Sequence, residues 1–168
     1  MIADPATCAA FTGHRTYDGS ADEALHRTIA DLRARGLRTF LSGMAVGFDL
    51  AAAEAVLACR SDMPDLRLVA VVPFRGQESR FPPAERERYR QILAQADQTV
   101  VLAPAYHTGC YLVRNDYLVA HAAILVAWYD GSPGGTRYTV QRALRRGLEF
   151  IQLHRNAPSP EARDQRLF

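Results

Sequence analysis

Six short apolar runs punctuate the chain, at residues 7–11, 38–41, 66–72, 98–102, 123–129 and 149–153, and helical patterns fill the stretches between them. Strand-length runs alternating with helical stretches predict an α/β protein built from βαβ units, with a mostly parallel sheet of about six strands. Residues 66–72 are nearly continuously apolar, as a central strand buried on both faces requires. The helix signals agree with this frame. Ser20 and Glu23 have the S-x-x-E spacing of a capping box, Leu25, Ile29 and Leu32 then share one face, and Gly36 is the expected stop. The second helix carries Ala51, Ala52, Ala53, Ala55 and Ala58, which predicts close approach to the sheet. Prolines open the third helix, where Arg86, Arg88 and Arg90 beside Glu85 and Glu87 read as a solvated, salt-bridged face. Val140, Ala143 and Leu144 form the apolar face of the last helix, closed by Gly147. One domain over residues 1–154 is expected, followed by a polar C-terminal tail at 155–168 in which Leu167 and Phe168 are the residues suited to docking.

The chemistry-bearing residues all follow strands, so a parallel sheet places them on one rim, at the carboxyl ends where ligands of such sheets bind. The first strand runs into Gly13, His14 and Arg15, which reads either as an anion-facing loop or as a plain turn with a solvated arginine. The second runs into Ser42, Gly43, Met44, Gly47 and Asp49, a glycine-bearing turn opening a helix. Unpaired amides at such a junction suit phosphate. After the third strand come Phe74, Gln77, Arg80 and Phe81, where an aromatic ring would stack on a base and an arginine meet a phosphate, or the phenylalanines would simply anchor the loop. Tyr111, Arg114 and Asn115 fall in the first turn of the fourth helix, where an arginine opposes the macrodipole and a bound anion would relieve it. The fifth strand delivers Asp130, Gly131, Gly134, Gly135 and Thr136, a second phosphate-type turn in which Asp130 is either a ribose acceptor or a turn former.

Composition narrows the chemistry. All 20 basic residues are arginine, so neither a Schiff-base lysine nor a Walker A loop is available, and the net charge of +2 does not by itself indicate nucleic acid. No G-x-G-x-x-G follows the first strand. Three scattered cysteines fit reduced thiols, the five histidines show no ligand-pair spacing, and no metal site is expected. Without a signal-like N-terminus or a membrane-length apolar run, a cytoplasmic protein is expected. A homodimer fits a domain of this size, although no interface signature is legible.

Five ordered motifs, at residues 12–15, 42–54, 73–77, 111–115 and 130–136, resemble the YpsA-like branch of the SLOG superfamily over nearly the whole chain. The resemblance implies a Rossmann-like three-layer sandwich and a nucleotide or nucleotide-derived ligand; the leading expectation is a sensory or regulatory binding protein that requires no cofactor. The superfamily includes the Rossmann domain of DNA-processing protein A, with a segment similar to residues 42–49, which makes single-stranded DNA an alternative ligand. It also includes the lonely-guy phosphoribohydrolases, so an N-glycosidase acting on a nucleoside monophosphate is the enzymatic alternative. Those enzymes carry a catalytic glutamate three residues beyond the threonine of P-G-G-x-G-T-x-x-E, whereas Thr139 occupies the position three beyond Thr136 here. Catalysis would then fall to Glu54 or Asp49.

Overall fold

A computed structural model of the chain describes residues 3–155, so of the expected tail only Arg155 is described, and Leu167 and Phe168 lie outside. Six strands, β1 (Cys8–Gly13), β2 (Thr39–Ser42), β3 (Arg67–Val72), β4 (Gln98–Val101), β5 (Ile124–Trp128) and β6 (Glu149–Gln152), form one sheet. Five helices connect them: α1 (Asp22–Ala34), α2 (Phe48–Cys59), α3 (Pro83–Gln95), α4 (Cys110–Ala120) and α5 (Gly135–Arg145). Every strand pair is parallel, in the order β4-β3-β2-β1-β5-β6. This is the Rossmann-like α/β architecture.

Alternation along the strands sorts the core into two layers, because successive side chains point to opposite faces. Ala9, Phe11, Phe40, Ala70, Val72 and Val126 pack under α1, α2 and α3. Cys8, Ala10, Leu41, Val69, Val71 and Ala127 pack under α4 and α5. Phe11 stacks on Phe40 with centroids 5.8 Å apart and meets Phe48 edge-on at 6.3 Å, tying the first layer to the start of α2. Each such ring contributes roughly 1.5–3 kcal/mol by leaving water. Ala52, Ala53 and Ala55 are buried, as a helix lying close to the sheet requires.

The capping box is not used. Helix α1 begins at Asp22, and its N-cap Ala21 offers no side-chain bond. Tyr17 takes the role instead: its hydroxyl accepts from the Ala21 amide at 3.1 Å and donates to Asp22 Oδ1 at 2.6 Å, while Ser20 donates its amide to Asp18. Both expected glycine stops hold. Gly36 and Leu37 bond back to Arg33 and Leu32, and Gly147 and Leu148 to Leu144 and Ala143, the paired closure of a Schellman motif.

Strand β1 pairs with β2 on one side and β5 on the other, with Ala9 opposite both Phe40 and Ile124. The connections therefore run outward in opposite directions from β1 and β5, leaving a crevice beyond the carboxyl ends of these two strands. That topological switch point positions the site.

Candidate functional site

A cavity of about 490 Å³ opens at the switch point, of a size suited to a small ligand. Its walls are residues 12–16 at and just beyond the end of β1, Ala45 and Asp49 around the start of α2, Tyr111, Leu112, Arg114 and Asn115 of α4, and Asp130 and residues 132–136 after β5.

Two of these loops interlock. Phe48 donates its amide to His14 O at 3.2 Å, and Gly47, at φ 95°, lies so close that a Cβ there would stand 2.5 Å from His14 O. Gly47 thus serves backbone packing and does not line this cavity. Gly13 lines it and is equally confined, since a Cβ there would meet Phe48 Cβ at 2.5 Å.

The turn from Ser42 to Asp49 differs from the open phosphate cradle that the sequence suggests. Ser42, fully buried, donates its hydroxyl to Asp49 O at 2.8 Å and accepts from the Met44 amide at 3.2 Å, holding Met44 at φ 63°. The Ala45 amide donates to Asp49 Oδ2 at 3.3 Å. With the Phe48 amide on His14, three donors of the turn point inward, and Ser42, Gly43 and Met44 stand behind the cavity wall. The turn positions Asp49.

Asp49 is the electrostatic centre. Its side chain is buried, and Oδ1 has no hydrogen-bond partner. Loss of water raises its pKa to about 6, against the opposing pull of Arg114, the Ala45 amide and Arg15. Arg114 is buried beside it: Nε donates to Asn115 Oδ1 at 2.7 Å, Nη1 donates to Gly43 O, and the guanidinium lies 5.7 Å from the Tyr111 ring centroid. Burial lowers the Arg114 pKa, with Asp49 opposing.

Across the crevice, His14 Nε2 lies 3.0 Å from the Asp130 amide and 2.9 Å from Asp130 Oδ1. Desolvation lowers the His14 pKa, and the Asp130 carboxylate opposes that shift. Asp130 Oδ1 also accepts from the Ser132 amide at 2.8 Å and hydroxyl at 2.6 Å, bonds that lower the Asp130 pKa. Asp130 therefore forms the turn, and it also faces the cavity. Gly134 is the N-cap of α5, and Gly135 and Thr136 enter its first turn, where amides lack intrahelical acceptors. These residues line the cavity, so the second turn presents the helix amino end that the first does not.

The other expected residues lie elsewhere. Phe74 is buried, edge-on to Tyr106 and Tyr111, and Arg80 covers the Tyr106 ring at 4.3 Å. Gln77 is buried with Oε1 unpartnered and does not line the cavity, and Gly131 is a buried residue of its loop that does not line it either. Glu54 pairs with Arg88 in a separate cavity on the outer face of α2. Thr16, Ala45 and Leu112 line the crevice without a signal beyond adjacency to the motifs. Among the described residues no group of His, Cys, Asp or Glu could hold a metal, and no helix is long and apolar enough to cross a membrane.

Parallel sheet, switch-point crevice and helix amino end together define a Rossmann-like protein built around a ligand-sized cavity. The family model described as the YspA SLOG family matches residues 10–150, and the chain belongs to this YpsA family of SLOG proteins. It is 30% identical over 132 residues to a UPF0398 protein of Bacillus cereus, covering 77% of this chain and 72% of the relative. A UPF0398 protein of Halalkalibacterium halodurans is 31% identical over 127 residues, covering 74% and 67% respectively. Among solved structures, DNA processing protein A of Streptococcus pneumoniae is similar in fold, with a TM-score of 0.63 and 19% identity; it covers 89% of this chain, which spans 50% of that protein. DNA processing protein A of Helicobacter pylori, whose single-stranded DNA binding mode that structure addresses, has a TM-score of 0.68 and 16% identity over 98% of this chain and 73% of its own.

Proposed function

We propose that the protein binds a nucleotide or nucleotide-derived ligand in the switch-point crevice, in a sensory or regulatory capacity. The observation that carries the reading is Asp49 Oδ1, a buried acceptor without a partner, in the same cavity as Arg15, Arg114 and the amino end of α5. A buried acceptor lacking a donor is costly, and a ligand hydroxyl or N–H relieves it. The arginines and the α5 amides suit the opposite end of the ligand, a phosphate. One molecule that carries both a hydroxyl-bearing sugar and a phosphate satisfies both ends.

The regulatory emphasis follows from Thr139. It is fully buried, with its hydroxyl donating to Gly135 O at 2.9 Å, and no carboxylate stands at that position. The phosphoribohydrolase reading keeps one supporting observation: Asp49, with a pKa of about 6, is suited to act as a general base near neutrality. Glu54 supports it less, being engaged by Arg88 outside the crevice. Single-stranded DNA binding, addressed for the Helicobacter pylori protein, is the third reading and predicts affinity falling steeply with salt.

A thermal-shift screen with AMP, ADP, ADP-ribose and NAD tests the main reading. At least one nucleotide should raise the melting temperature, and Gly134→Ala, at a position of φ 135°, should abolish the rise. Absence of any shift sinks the proposal. Release of free base and ribose 5-phosphate from AMP, lost in Asp49→Asn, would move the assignment to the hydrolase.

A further inference from the structure

Arg15 lines a second cavity as well as the crevice. This one, about 480 Å³, lies on the other side of the turn into α2, bordered by Val46 and Gly47 where the crevice is bordered by Ala45. Its floor is a face of α2 formed by Ala51, Ala55 and Ala58, whose spacing of four and three places three methyl groups in a row. Helix α1 supplies Asp22 and His26 as one wall, and α3 supplies Glu85 and Arg88 as the other.

The charges of the two cavities differ. Arg88 is held by Glu54 and by Glu85 at 2.7 Å, and Asp22 accepts from the Tyr17 hydroxyl. Three carboxylates, of Asp22, Glu54 and Glu85, face two arginines, so the second cavity disfavours an anion and suits a neutral or cationic polar group resting on the alanine floor. Arg15 stands at the boundary, exposed, and makes no hydrogen bond or ion pair among the described residues. A cation with no hydrogen bond or ion pair of its own, between two ligand-sized spaces, is placed for a bridging phosphate.

We propose that the two cavities are halves of one site and that the ligand is a two-part nucleotide. A phosphorylated nucleoside fills the crevice, its phosphate linkage passes Arg15, and a second, uncharged or cationic polar group covers the alanine face of α2. The inference rests on the nucleotide reading above and extends it to a cavity that reading does not use.

Isothermal titration of AMP, ATP, ADP-ribose and NAD against the wild type and Ala51→Phe tests it. Ala51 is half-buried on the second floor and absent from the crevice wall, so the added ring fills one cavity only. ADP-ribose or NAD should bind at least about tenfold more tightly than AMP, ATP should gain nothing from its added anionic phosphates, and Ala51→Phe should return the two-part ligand to the affinity of AMP while leaving AMP unchanged. Equal affinity of AMP and the two-part ligands overturns the proposal and leaves the nucleotide reading standing, as does an Ala51→Phe effect equal for all ligands. If none of the four binds, the nucleotide reading falls and this inference with it. Glu85→Gln adds no bulk and serves if Ala51→Phe does not fold: it should narrow the preference for NAD over AMP, and an unchanged preference counts against the proposal.

Discussion

The Arg114 side chain lies across Gly43: its Nη1 donates to the Gly43 carbonyl, and its Cδ sits 2.7 Å from where a Cβ on Gly43 would stand. Glycine is therefore needed to admit the arginine, and the β2 turn needs no direct ligand contact from Gly43. Gly43→Ala should lift Arg114 out of its bonds to Gly43 and Asn115, destabilise the fold by about 1–3 kcal/mol and weaken nucleotide binding. Urea denaturation and titration of the same preparation check both effects, and binding intact in a destabilised variant would separate Arg114 from the ligand.

Gly47 presents a harsher constraint. At φ 95° a side chain is already strained, and its Cβ would meet the backbone of the β1 loop, 2.5 Å from His14 O and 2.6 Å from Arg15 Cα. Backbone cannot step aside as a flexible side chain does. Gly47→Ala should destabilise by more than about 3 kcal/mol, well beyond Gly43→Ala. Denaturant midpoints of the two variants give the ranking.

These two contacts mark where the sequence stopped being informative. The strands, their parallel sense and the rim of loops follow from local alternation between apolar runs and helical spacing. The inward aim of the Ser42–Asp49 amides does not, because it depends on His14 accepting from Phe48 between the segments that follow two neighbouring strands, and on Asp49 folding back onto Ala45. Arg114 was legible as an arginine unfavourably placed at a helix start, but its seat over Gly43 joins residues 71 apart in sequence. The capping of α1 by Tyr17 was hidden similarly, since the serine and glutamate spacing fits a box that the preceding turn leaves unused.

Asp49 makes stability depend on pH in a defined direction. Its folded pKa, about 6, exceeds the ordinary value of 3.8, so the folded state holds the proton more tightly than the unfolded state between those values. Stability relative to Asp49→Asn should therefore fall as pH rises from about 4 to about 6 and then level off, by roughly 2–3 kcal/mol in all. Urea denaturation of both proteins at half-unit intervals measures the difference. A constant difference across that window would show that Asp49 is not held protonated by burial.

At the amino end of α5, stability and binding should move in opposite directions. A Cβ at Gly135 would have only Asn115 Nδ2 within contact range, at 3.6 Å, and the residue does not occupy the left-handed region, so a side chain is accommodated. Gly135→Asp places a carboxylate in the first turn of a helix, which favours the macrodipole by about 0.3–1 kcal/mol and also removes the entropic penalty of a helical glycine. The same carboxylate occupies the position proposed for the ligand phosphate and repels it. The variant should melt higher than the wild type and bind a nucleotide at least about tenfold more weakly, a loss of roughly 1.4 kcal/mol or more. A variant that melts higher and binds as before would place the phosphate elsewhere in the crevice, on Arg15 and Arg114 without the helix.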